Sequence, residues 1–398
     1  MSLPVHPAPS DRQPSPGFRF ALWNLGFRPF YLVASLFSAI SIALWIAQYT
    51  GYLPHAYLNG SIWHAHEMLF GYTLAVVAGF LLTAVRAWTG LPTPTGIALK
   101  ALVLLWIAGR LIAMTPYHIA AALTGVAFPI AVALAIAVPL VQSRSRRNYF
   151  FVPLLILLGA AELAMHLSYQ GRLAWPAQAS VRVGLDIVLF IIAVLSGRVI
   201  PMFTNNGVPG ASAHGNRRIE QLALALILAL LCADALQASP QIIAAVTIMS
   251  AIVHAARLIM WQPWKTLRTP LVWILHAGYG WIVIYFMLRA CVAAGLVADP
   301  LAVHALTIGA IGSMTMGMMT RTARGHTGRP LVTTDIEITC FFLVQIAVLV
   351  RVFGGMLLPR DYVATVALSG IFWSLAFSVF AFCYWPILSR ARIDGKAG

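Results

Sequence analysis

The chain has 398 residues, 60% of them hydrophobic and only 9% charged, where an ordinary soluble domain is about a quarter charged. That composition excludes a soluble fold, and long continuous apolar runs exclude the alternating pattern of a transmembrane barrel. The net charge of +15 comes as small clusters between apolar runs, which argues against a nucleic-acid partner and for a lipid bilayer.

Residues 1–19, MSLPVHPAPSDRQPSPGFR, are rich in Pro and Ser and read as a disordered cytoplasmic arm without a cleaved signal. The rest, 20–398, reads as one all-α polytopic membrane domain. A helical crossing needs about 20 apolar residues. Twelve segments qualify: 30–49, 66–86, 97–115, 118–141, 150–168, 183–203, 219–236, 241–261, 270–296, 301–323, 336–358 and 363–388. Arg12, Arg19 and Arg28 precede the first, Arg144, Arg146 and Arg147 follow the fourth, and Arg217 and Arg218 follow the sixth. Lys265 and Arg268 follow the eighth, Arg321, Arg324 and Arg329 end the tenth, and Arg390, Arg392 and Lys396 close the chain. With twelve crossings all of these share one side, so both termini are expected in the cytoplasm. Cys232, Cys291, Cys340 and Cys383 stand singly in apolar segments with no CxxCH, which gives no support to a covalently attached haem.

The second and tenth segments resemble each other. Setting HEMLFGYTLAVVAGFLLTAVRAWTGLP over HALTIGAIGSMTMGMMTRTARGHTGRP pairs His66 with His304, Gly71 with Gly309, Gly79 with Gly317, Arg86 with Arg324, Thr89 with Thr327, Gly90 with Gly328 and Pro92 with Pro330. Other positions extend the repeat. Arg28, Arg147 and Arg268 precede the first, fifth and ninth segments, and the turns at Gly90, Gly207 and Gly328 recur at similar intervals. Three pseudo-threefold four-helix units are expected, 28–146, 147–267 and 268–390, rather than the two halves common in secondary transporters. The second, sixth and tenth helices would then take equivalent inner positions.

Ionisable side chains within lipid are costly and mark candidate sites. One layer holds His64, His66 and Glu67, with His118, His166 and His304. If the repeat aims His66 and His304 at a common axis, they could ligate haem iron from opposite sides; the competing account is ordinary helix packing by small residues with hydrogen-bonded histidines. Arg110 and Arg351 occupy like positions on the third and eleventh segments and are candidates for the haem propionates, or else for snorkelling to the interface. A second layer holds His254, His276 and His326, whose rise along their helices puts them at one depth. Three converging imidazoles would suit copper, zinc or iron; the alternative is a hydrogen-bonded layer around Asn205 and Asn206. Glu162, Asp186 and Asp234 are isolated carboxylates, fit for a proton path or for pairing with arginine. His6, His55 and His214 read as solvated loop residues. No Walker loop, GxGxxG, HExxH or GxSxG is found.

Several stretches together resemble one family. Trp63-His64-Ala65-His66-Glu67-Met68, Gly197-Arg198-Val199-Ile200-Pro201 with Phe203-Thr204-Asn205, Trp273-x-Leu275-His276-x-Gly278-Tyr279 and the run from His304 to Pro330 are similar to the NnrS family. The resemblance runs from Phe27 onward. It implies a multi-helix protein of the bacterial inner membrane that contains haem b and copper and is associated with nitric oxide, nitrosative stress and denitrification. The motif histidines are His64, His66, His254, His276, His304 and His326; His118 and His166 belong to no family motif. Three four-helix units also resemble the catalytic subunit of the haem-copper oxidases in architecture alone, since the seventh segment has no histidine pair and the tenth no His-x-His. The expectation is a haem- and copper-binding protein protecting against nitric oxide, with turnover of nitric oxide or metal-nitrosyl species and the electron donor left open. The alternative is a permease for haem, metal ion or a small solute.

Overall fold

A computed structural model describes residues 20–53 and 57–396. The expected N-terminal arm, with His6 and His55, lies outside these residues. Helices occupy every segment expected from the apolar runs. They are α1 (Phe27–Tyr49), α2 (Gly60–Thr89), α3 (Gly96–Ile112), α4 (His118–Gln142), α5 (Phe151–Tyr169), α6 (Ala177–Gly207), α7 (Arg217–Ala235), α8 (Pro240–Met260), α9 (Pro270–Ala293), α10 (Asp299–His326), α11 (Asp335–Leu357) and α12 (Tyr362–Ser389). Among the described residues ten helices are long and apolar enough to cross a membrane. The two others are α3, with 17 residues, and α7, which carries Arg217, Arg218, Glu220 and Asp234. The protein is a multi-pass all-α membrane protein.

Helices adjacent in sequence pack against each other, as short connections require, and α1 packs against α12 so that the bundle closes on itself. The interior belongs to α2 and α10, whose most apolar stretches are 83% and 72% buried, against 33% for the peripheral α8. α6 touches both, through Arg182 to Asp299 on α10 and through Gly184 against Leu69 and Phe70 on α2.

The two related helices share backbone features that side chains alone would not enforce. Each is interrupted by π-helical turns that begin just after the aligned histidine, Glu67–Thr73 after His66 and Ala305–Gly312 after His304. Each presents glycines to the helix before it. A Cβ at Gly79 would lie 2.8 Å from Phe30 Cβ, and one at Gly317 would lie 2.7 Å from Ile274 Cγ2. Eight residues earlier, about two turns back, Gly71 meets Phe37 and Gly309 meets Trp281 in the same way. The aligned glycines that end the two helices, Gly90 and Gly328, both have positive φ (69° and 76°), the left-handed conformation of a helix C-cap. Close backbone approach is how helices gain dispersion contacts in lipid, where no hydrophobic force drives them together. Gly309→Val, which drives two methyl groups into the Trp281 ring, is therefore expected to cost about 1–3 kcal/mol, read as a lower thermal midpoint of the detergent-purified protein.

Candidate functional site

A cavity of about 300 Å³ opens between α1, α2, α6, α10, α11 and α12. Two imidazoles face it. His64, from α2, and His304, from α10, have ring centres 6.2 Å apart and planes within 14° of parallel. Trp45 of α1 lies on the other side of His64, 4.3 Å centre to centre. The His304 Nδ1–H donates to the Pro300 carbonyl at 2.6 Å, which fixes the ring and leaves the Nε2 lone pair uncommitted. Arg351 projects from a π-helical turn of α11, Val350–Gly354. Its Nη2 donates to Tyr362 Oη at 2.8 Å, while its buried Nη1 has no partner. At one edge Arg182 pairs with Asp299 at 2.8 Å, and Met68, Tyr72 and Trp373 supply apolar wall.

His66 does not share this cavity, which corrects the expected pairing of His66 with His304. Two residues along a helix turn the side chain by about 200°, so when His64 faces α10, His66 faces the opposite way. It is buried among α3, α4 and α5. Its Nδ1 lies 2.7 Å from Glu67 Oε1 and its Nε2 3.1 Å from Glu162 Oε1. Arg110 follows it there: its Nη1 is 3.0 Å from Glu67 Oε2 and its Nη2 3.8 Å from Glu162 Oε1. Of the two arginines proposed for propionates, only Arg351 lines the cavity. The His166 ring stands 5.1 Å from that of His66 at 70°, with Tyr57 Oη 3.1 Å from its Nδ1. Burial raises the pKa of the Tyr57 phenol, so the hydroxyl stays protonated. His118 lies beside Tyr57, ring centres 5.8 Å apart.

The inner histidines are not brought together. His254 Nδ1 is 2.6 Å from Tyr279 Oη, which also receives Arg257 Nη1 at 2.7 Å. His276 is held by Thr204 Oγ1 and the carbonyls of Trp261 and Val272. His326 packs against Phe27, 5.6 Å away. The converging trio is corrected accordingly: equal depth along neighbouring helices fixes height and says nothing of direction around each helix. Asn205 is not part of a layer around them, since it closes the turn after α6 by bonding both backbone groups of Ala213. His214 is an exposed loop residue, as expected.

Sequence reading missed the cluster on α5 and a third polar cluster. Glu162 and His166 were treated separately, although their spacing of four residues puts both on one helix face. Asp186 of α6 is buried near Asp234 of α7 and Arg289 of α9, with Arg289 Nη2 2.6 Å from Asp234 Oδ1. Buried Arg257 pairs with Glu220, half-buried at the start of α7.

The NnrS family model, described as NnrS protein, matches residues 21–392, a span that takes in the cavity, both buried clusters and all twelve helices. The chain belongs to the NnrS family. No curated protein matches it. The NnrS match includes the stretch around Glu162 and His166, so these two residues lie within the family's span even though the motif histidines quoted above did not point to them.

Proposed function

We propose that this NnrS-family protein binds haem b and copper in the bacterial inner membrane and protects the cell against nitric oxide and nitrosative stress, in chemistry linked to denitrification. In this reading all twelve helices cross the bilayer with both termini in the cytoplasm. α3 and α7, at about 26 and 28 Å, come close to the ~30 Å hydrocarbon thickness. The helices form three units, 28–146, 147–267 and 268–390, arranged like the catalytic subunit of a haem-copper oxidase. A recurring pattern supports the units. The second helix of each carries an inward polar residue, buried His66 or Asp186 or the cavity-lining His304; the third carries its neighbour, Arg110, Asp234 or Arg351; and the first helix of the next unit closes the group with His166, Arg289 or Trp45.

The observation that carries the haem reading is the pair of near-parallel imidazoles, His64 and His304, 6.2 Å apart across a cavity. The residues fit the group. His64 and His304 would hold the group through ring nitrogens, and the unpartnered Arg351 Nη1 would supply the cation that a carboxylate-bearing macrocycle needs. Bound haem would supply one-electron redox chemistry, tuned by the residues that hold it and by burial. The chain's own part is to hold the His304 ring through Pro300, to wedge His64 against Trp45, and to keep water out with Met68, Tyr72 and Trp373. A small neutral molecule such as nitric oxide reaches such a space through lipid. The electron donor stays unassigned.

The purified protein, reduced with dithionite, is expected to show sharp haem bands at about one haem per chain, and cells lacking it are expected to be more sensitive to nitric oxide. A colourless preparation would remove the haem reading and leave the permease alternative.

A further inference from the structure

We propose that His66, Glu162 and His166 hold a first-row divalent transition-metal ion between α2 and α5. One donor atom from each lies within 4.8 Å of the others, and all three residues are buried. Among the described residues this is the one group of three His, Cys, Asp or Glu side chains close enough to share an ion. The inference deepens the metal half of the reading above and does not depend on the haem half.

Three features distinguish a built site from a chance cluster. First, buried donors are left without partners: Glu162 Oε2 and His166 Nε2 have no hydrogen bond, which is costly in a bundle interior. Second, each histidine is held from behind through its Nδ1. Glu67 Oε1 takes the Nδ1–H of His66 at 2.7 Å, and Arg110 in turn holds Glu67 Oε2 at 3.0 Å. Tyr57 Oη lies 3.1 Å from the Nδ1 of His166 and is itself bonded by Gln170. In the tautomer whose Nδ1–H donates to that oxygen, His166 presents its Nε2 lone pair inward. Carboxylate or hydroxyl support behind the imidazole is the arrangement that orients metal-binding histidines. Third, the charge is appropriate. Glu67 and Glu162 outnumber Arg110, so a cation between the imidazoles is compensated where a third neutral group would not be.

The donor set names the class of ion. Two imidazoles and one carboxylate suit zinc, copper or ferrous iron, and hard calcium or magnesium would require more oxygens. No cysteine belongs to the group, which argues against cuprous ion or an iron-sulfur cluster. Three protein donors leave coordination open to water or a small ligand.

The test uses the full chain in detergent, stripped with a chelator, loaded separately with Co²⁺, Cu²⁺ and Zn²⁺, desalted and analysed for metal. One ion per chain is expected, with visible ligand-field bands for Co²⁺. His166→Ala and Glu162→Gln are expected to weaken binding about tenfold or more. Haem content and elution profile should stay as in the unaltered protein, and His304→Ala should lose haem while keeping the ion. Glu162→Gln keeps size and shape, so the test survives if His166→Ala fails to fold. Wild-type protein that binds none of the three ions would overturn the proposal and leave ordered water as the occupant; so would equal metal content in both variants. Metal bound by a haem-free protein would overturn the haem reading alone.

Discussion

His64→Ala and His304→Ala are each expected to reduce haem content to a tenth or less of the unaltered protein, by the roughly tenfold-or-greater loss that removal of a ligand entails. His66→Ala should leave haem in place. The contrast is sharp because His64 and His66 are two residues apart and both sit within the same sequence motif, so the result depends on which way each faces. Both ring nitrogens of His66 are already opposite carboxylate oxygens, at 2.7 and 3.1 Å, whereas His64 lies against Trp45 and lines the cavity with His304. Haem measured as the pyridine complex per mole of protein decides it. Loss on changing His66, with retention on changing His64, would sink the assignment of the cavity. Arg351→Met removes the unpartnered guanidinium without touching a ligand, so it should loosen haem less than either histidine change.

The places of the helices were legible because apolar runs of the right length have few other fates; of these helices, ten among the described residues are long and apolar enough to cross a membrane. The likeness of α2 and α10 in their glycine contacts and turns was legible too, since glycines and a proline at fixed spacing record where a backbone must come close or turn. What could not be read was orientation. The aligned residues His66 and His304 were expected to face each other, but in the three-unit arrangement proposed above equivalent residues are carried around an axis, each into its own space between units. A twofold repeat would put equivalents face to face; a threefold repeat does not. The residue that meets His304 is therefore a different one, His64, which has no aligned histidine in the other copy. The inner histidines failed for a related reason. Rise per residue gives His254 and His276 equal depth, yet His254 turns to Tyr279 and His276 to Thr204. The Glu162 and His166 pair needed only the i, i+4 rule, and was missed because His166 was placed with the outer histidines and Glu162 with the isolated carboxylates.

The π-helical turns add a step the sequence could not supply. A π turn accommodates an extra residue per turn and shifts the register of everything beyond it, and such turns are frequent at functional sites. Here the three of them, at Glu67–Thr73, Ala305–Gly312 and Val350–Gly354, border the cavity through Met68, Thr307 and Arg351. The local backbone cost is thus concentrated where two imidazoles and a cation must be aimed at one space.

Arg110→Met is expected to be the most destabilising of the charge removals, by about 3–5 kcal/mol, because it strands carboxylates in the interior. Glu67 and Glu162 are 1% and 0% exposed, and without the guanidinium only His66 lies between them. Arg182→Met provides the comparison: its partner Asp299 is 38% exposed, water can take over, and the loss should be about 1 kcal/mol or less. Thermal unfolding of the two variants in the same detergent measures the difference. Adding Glu67→Gln to Arg110→Met should recover part of the loss, since the double change removes a charge pair rather than half of one. If His66, Glu162 and His166 hold a divalent ion, loading it should also recover stability in Arg110→Met, because the ion replaces the missing positive charge beside Glu162. Equal stability of the Arg110 and Arg182 variants would show that these carboxylates are not charged in the folded protein, and the electrostatic case for a cation in their midst would fall with them.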